Sequence, residues 1–302
     1  MFGLRTRKAQ APVQRGVVLD LSGPKLRRAF EHLLAAAEET GGIERYVGAL
    51  ALKASLFEEV LGRGKIEEMS EAEFLDMAAF VAPGRRRVGA WLAENGFRKM
   101  QFRLAALMEG WSDTSTADAR LGAFEASVPA NRANRWVRDL AAEALHFTAP
   151  EHYPLMTRWI WDAKVGTGVL REIWFADDPD AVRIGVGDGF EVHATLRSEL
   201  ESFLRDNGVF RDLPFYADLL CAHVYAGYIN DRGGQYLRAD ACGDSPTDAM
   251  LHTRRMLGLD AVDSQSGRTR LKLVDGQAHV LGGAAAGELP SLNPVRPNHA
   301  KS

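Results

Sequence analysis

The sequence predicts a mainly α protein, a multi-helix globular bundle carrying one or two small β-hairpins. Three observations predict it. Apolar residues recur at a 3.6-residue period in segment after segment, each opened by a capping residue or proline and closed by glycine. Four of the six tryptophans, Trp136, Trp159, Trp161 and Trp174, fall between residues 132 and 175; each packs about 150–250 Å² of surface, enough for the four to dominate a core or an interface. Two short stretches alternate apolar and polar residues around Gly-Asp-Gly or Asp-Gly, a hairpin signal.

In chain order, residues 1–15 read as a disordered basic arm and residues 17–21 as a short strand. Ser22-Gly23-Pro24 opens a helix with proline in its first turn, and Gly41-Gly42 closes it. A second helix runs from Ile43 to Leu61, stopped by Gly62-Arg63-Gly64. Ser70-Glu71-Ala72-Glu73 is a capping box that starts a third, ended by Pro83-Gly84. Two shorter helices, 86–94 and 97–109, meet at Asn95-Gly96, and another covers 116–128. Pro129 and Asn131 then set a boundary between an N-terminal helical region, 16–130, and a tryptophan-rich region, 131–281.

The tryptophan-rich region begins with three expected helices. The first carries Trp136, Val137, Leu140, Ala141, Ala144 and Leu145 on one face and Arg135, Asp139, Glu143 and His146 on the other. The second, after the Pro150–Pro154 break, places Trp159 inward and Trp161 off the main stripe with Arg158. The third starts near Thr167. Residues 182–186 and 190–193 flank Gly187-Asp188-Gly189 as a hairpin, and Thr195 then caps a helix to Asn207-Gly208. Residues 215–229 are apolar nearly all round and suit a central buried helix. Ser245-Pro246-Thr247-Asp248 opens a helix to Leu257, a second hairpin turns at Asp275-Gly276, and residues 282–302 read as a disordered tail.

Composition narrows the function classes. A net charge of −3 gives no global field for polyanions, and arginine far outnumbers lysine, as in proteins of GC-rich bacteria. Two cysteines, Cys221 and Cys242, do not make a disulfide framework. The basic N-terminus lacks the apolar core of a secretory signal, and no apolar run reaches the ~18–20 residues of a membrane span. The expectation is a cytoplasmic protein with no membrane association.

Several patterns invite chemistry, and each has a plainer reading. Glu143-x-x-His146, with Asp139 a turn earlier, has the spacing of a di-iron carboxylate bundle, but no second copy faces it. A solvated helix face with an Arg135–Asp139 pair is expected instead. Cys221, His223, Cys242 and His252 match no zinc module, and Gly185 to Gly189 lacks the spacing and the following helix of a dinucleotide loop. No cofactor and no metal is therefore expected. Lys164-Val165-Gly166-Thr167-Gly168 places a lysine and small residues at an expected helix start, where anions bind, so Lys164 and Thr167 join Arg85, Arg86 and Arg87 as candidate anion-binding residues. The arginine-rich stretch from Arg85 to Arg103 resembles a helix-turn-helix only in outline, because Phe97, Met100, Leu104 and Leu107 leave little surface to read bases.

The leading expectation is a non-catalytic helical protein, an accessory or adaptor, that binds a partner protein, a second copy of itself or an organic ligand through aromatic surface. Tyr153, Arg158, Trp161, Asp162 and His146, clustered around the proline break, are its candidate binding residues. Trp161 is expected partly exposed beside an Arg158–Asp162 surface pair. An enzyme with a polar pocket at His146, Tyr153, Arg158 and Asp162 is the alternative; a nucleic-acid or anion binder using Arg85 to Arg103 is a third reading, with nucleic acid not the expected partner.

Overall fold

The computed structural model describes residues 16–176, 182–231, 249–261, 272–274 and 277–279. The chain is mainly helical. Its helices are α1 (Gly23–Glu38), α2 (Glu44–Leu61), α3 (Glu71–Ala78), α4 (Val88–Asn95), α5 (Phe97–Met108), α6 (Ala117–Ala126), α7 (Trp136–Thr148), α8 (Val169–Glu172), α9 (Phe190–Asp206), α10 (Leu213–Asp231) and α11 (Ala249–Met256). The expected arm, the tail, Cys242 and the Ser245–Thr247 helix start lie outside the described residues.

Local signals set most boundaries. Pro24 sits in the first turn of α1, whose Leu26, Phe30 and Leu33 are buried at helical spacing. At α3 the capping box forms as its residues predict: Ser70 Oγ accepts from Glu73 N, and Glu73 Oε2 accepts from Ser70 N at 2.7 Å. Gly96, at φ +81°, breaks the chain between α4 and α5.

Two helices carry the interior. α7 packs on α2, α5 and α6, and α10 on α1, α2, α8, α9 and α11. α10 is buried almost continuously from Pro214 to His223, as an apolar helix should be. α7 is just as enclosed, and its polar residues go inward with the rest.

Three local expectations need correction. Residues 182–188 form no strand, and α9 starts at Phe190, so the hairpin around Gly187-Asp188-Gly189 is absent. The reason is a long-range cap: Asp118 of α6 accepts from Phe190 N at 2.7 Å, ending the turn as a helix start. Thr195 is consequently inside α9, where its hydroxyl donates to Glu191 O. The second expected hairpin falls on three-residue strands, β1 (Lys272–Val274) and β2 (Gln277–His279), paired antiparallel. So short a ribbon does not establish a β component of the fold.

The third correction concerns residues 149–168, which hold turns and a bridge in place of a second tryptophan helix. Leu155, Met156, Trp159, Ile160 and Trp161 are all buried, on what would be opposite faces of a helix. The segment crosses the core as irregular chain and doubles back: Asp162 bridges Thr167, and Val169 N and Leu170 N donate to Trp159 O and Ile160 O. Gly168 makes this possible. It sits at φ +132°, and a Cβ there would lie 2.5 Å from Ile160 O.

Candidate functional site: a cationic cleft at the start of the central helix

One face of α7 presents Asp139, Glu143 and His146 at i, i+4 and i+7, and all three are buried. This overturns the expected solvated face. Each acidic or basic group there has found a partner on another element, which is what permits burial. Asp139 takes Arg158 with both oxygens, Oδ1 from the backbone N–H at 3.1 Å and Oδ2 from Nη2 at 2.7 Å. Glu143 accepts from Lys53 Nζ of α2 at 2.7 Å, and the same ammonium donates to Phe80 O at 3.0 Å and Leu257 O at 2.8 Å. Its three protons are thus all used, 3.9 Å above the Phe147 ring. Burial pulls the Lys53 ammonium below its ordinary range and pushes the Glu143 carboxyl up, and the partner opposes each shift.

His146 completes the column. Its Nδ1 lies 2.7 Å from Tyr153 O and its Nε2 lies 2.7 Å from Asp218 Oδ2 of α10. Tyr153 is fully buried, its hydroxyl donating to Trp111 O and accepting from Arg120 at 2.6 Å. His146 and Tyr153 therefore meet, as the sequence places them, but through a backbone carbonyl in the packed interior. Trp161 is 1% exposed, with Nε1 donating to Gly187 O at 3.0 Å, and no tryptophan of the chain is exposed. The expectations of a half-exposed Trp161 and an Arg158–Asp162 pair are both corrected: Arg158 pairs with Asp139, and Asp162 faces Arg135 at 3.6 Å.

The remaining candidates separate into two places. Arg85 makes a two-pronged pair with Asp260, Arg103 donates to Ser127 O and stacks over Trp91, and Arg98 donates to Gln101. Arg86 and Arg87 are exposed. Much of the Arg85–Arg103 charge thus holds neighbouring helices together. Lys164 is exposed and Thr167 half-buried, on the turn that Asp162 closes by accepting Val165 N at 3.1 Å. α8 is only four residues long, so Thr167 is not the cap of a substantial helix.

Arg158, Asp162 and Lys164 do come together, on the wall of a cleft of about 620 Å³. The chain entering α7 also lines it, with Asn131, Arg132, Asn134, Arg135 and Arg138, as do Glu125 and Asp188. Arg135 caps α7 by position but no side chain caps its first turn. Five cations meet three carboxylates here. Arg138 binds Asp188 through Oδ2 at 2.9 Å and the carbonyl at 2.8 Å, tying Asp188 to α7 at the cleft. Among the described residues no carboxylate pairs with Arg132 or Lys164, and Arg158 Nε is buried without an acceptor. Burial holds the Glu125 carboxyl above its ordinary value, against the pull of Arg138.

Sequence reasoning missed Arg132, Arg135 and Arg138 as a group. A signal was present: three arginines at spacings of three, which a helical start brings to one side. Glu125 and Asp188 carried none. Among the described residues no three His, Cys, Asp or Glu side chains converge to hold a metal ion, and no helix is long and apolar enough to cross a membrane. No family model matches the chain, and neither curated proteins nor solved structures yield a significant likeness.

Proposed function

We propose that the protein is a non-catalytic binding protein whose ligand is an anionic organic molecule, carrying a carboxylate or a phosphate, held in the cleft at the start of α7. The observation that carries this reading is the surplus of cations lining one concave surface, where Arg132 and Lys164 have no carboxylate partner among the described residues. Preorganised arginines suit two-pronged recognition of such groups, and the uncapped N–H groups of a long helix add a partial positive charge. The recognition element is thus cationic where the tryptophan count suggested an aromatic surface.

A catalytic reading has less support. The His146–Asp218 pair has proton-transfer chemistry available, but both groups are buried and both ring nitrogens are already engaged. Titration calorimetry against a panel of small dicarboxylates and organic phosphates, at low ionic strength, tests the proposal. At least one compound is expected to bind at millimolar concentration or tighter, and Arg132→Ala/Lys164→Ala to weaken it by about tenfold or more. Equal binding by the double variant, or no binding across the panel, overturns it.

A further inference from the structure

A second surface, sharing no lining residue with the cleft, lies along α2. We propose that it joins two copies of this chain about a two-fold axis. The argument starts from Phe210, which is 74% exposed in the connection between α9 and α10. That connection is pinned at both ends. Gly208, at φ +88°, turns the chain so that Val209 N donates back to Leu204 O at 3.0 Å. Asp212, at φ +52°, offers its carbonyl to Phe215 N and Tyr216 N at 3.0 and 3.1 Å. A large apolar ring held out in water on a fixed backbone spares association the cost of ordering that loop.

Beside the ring runs a groove of about 510 Å³ floored by Val47, Gly48 and Ala51 of α2. Gly48 is exposed in the second turn of the 18-residue α2, where glycine costs about 0.5–1 kcal/mol relative to alanine. Without a side chain, this position lets a ring approach the helix closely.

The rim identifies the occupant. It carries Glu44 and Asp212 together with Arg211, and among the described residues Arg211 has no carboxylate partner. A surface with both signs, one knob and one hole is complementary to itself: in a two-fold contact each Phe210 enters the other groove and each Arg211 meets the other copy's Glu44.

Sedimentation equilibrium of the full chain from about 1 to 100 μM tests this. The wild type is expected to reach twice the chain mass with rising concentration. Phe210→Ser and Gly48→Leu should each weaken the dimer by about tenfold or more, while the monomer's Tm stays unchanged in the first. Arg211→Glu should also weaken it, and Arg211→Glu/Glu44→Arg should restore it. A wild type that stays monomeric throughout, or a dimer indifferent to Phe210→Ser and Gly48→Leu, overturns the proposal.

Discussion

The inner face of α7 and its entrance are built from the same residue types and behave in opposite ways. Along the inner face, Asp139, Glu143 and His146 each meet one partner of opposite character at hydrogen-bond distance, out of water. At the entrance, Arg135 stands 3.6 Å from Asp162 with about half its side chain exposed, and Arg132 and Lys164 lack a described partner. The difference teaches that charge on a helix reports neither burial nor function until its partners are known. Buried pairs cost desolvation and repay it through geometry, so they fix which elements meet. Loose, solvent-facing pairs such as Arg135–Asp162 fix little.

The largest expected effect tests the buried half. Lys53→Met alone should leave the Glu143 carboxylate without a partner and cost about 3–5 kcal/mol in a denaturant titration, whereas Lys53→Met/Glu143→Leu should recover most of that loss. A double variant as damaged as the single would show that the pair itself, and not the stranded charge, carries the stability.

A smaller effect follows from pH. Burial holds His193 neutral, with its pKa brought down to about 4, and its Nδ1 faces Gly189 O. An unfolded histidine takes a proton near pH 6.5, so the unfolded chain binds more protons than the folded chain below that value. The stabilising contribution is present above pH 6.5 and is lost as pH falls toward about 4, amounting to about 3 kcal/mol at the lower end. His223, also near pH 4 through burial, adds a parallel loss. His193→Asn should flatten the stability profile across this window by up to about one proton. An unchanged slope would mean that His193 already protonates in the folded chain.

The smallest effect belongs to the entrance. Arg135→Ala should change stability by less than about 1 kcal/mol, because its partner is loose and solvent screens the pair. A loss comparable to that of Lys53→Met would erase the distinction between the two ends of α7 and move the cleft into the scaffold.

Helix existence was largely legible because it rests on neighbours in the chain. The Pro24 start of α1, the Ser70–Glu73 box and the Gly96 break act through hydrogen bonds and dihedral angles spanning a few residues. The candidate site was half legible. Arg158, Asp162 and Lys164 do reach one cleft, while His146, Tyr153 and Trp161 went inward.

By itself, then, the sequence determined a mainly helical chain, the positions of most helix starts and stops, and the near-complete burial of α10, whose apolar residues surround its axis. Only the tertiary structure decided the fate of the polar residues. Asp118 reaches Phe190 across 72 positions and turns an expected hairpin into the start of α9. Lys53 reaches Glu143 across 90 and draws a charged face into the core. In both cases a charge-assisted hydrogen bond to a distant carboxylate, exposed at Asp118 and buried at Glu143, outweighs a local preference worth a few tenths of a kcal/mol, roughly, per residue. Such partners are adjacent only in the folded chain, and no spacing within the sequence brings them together.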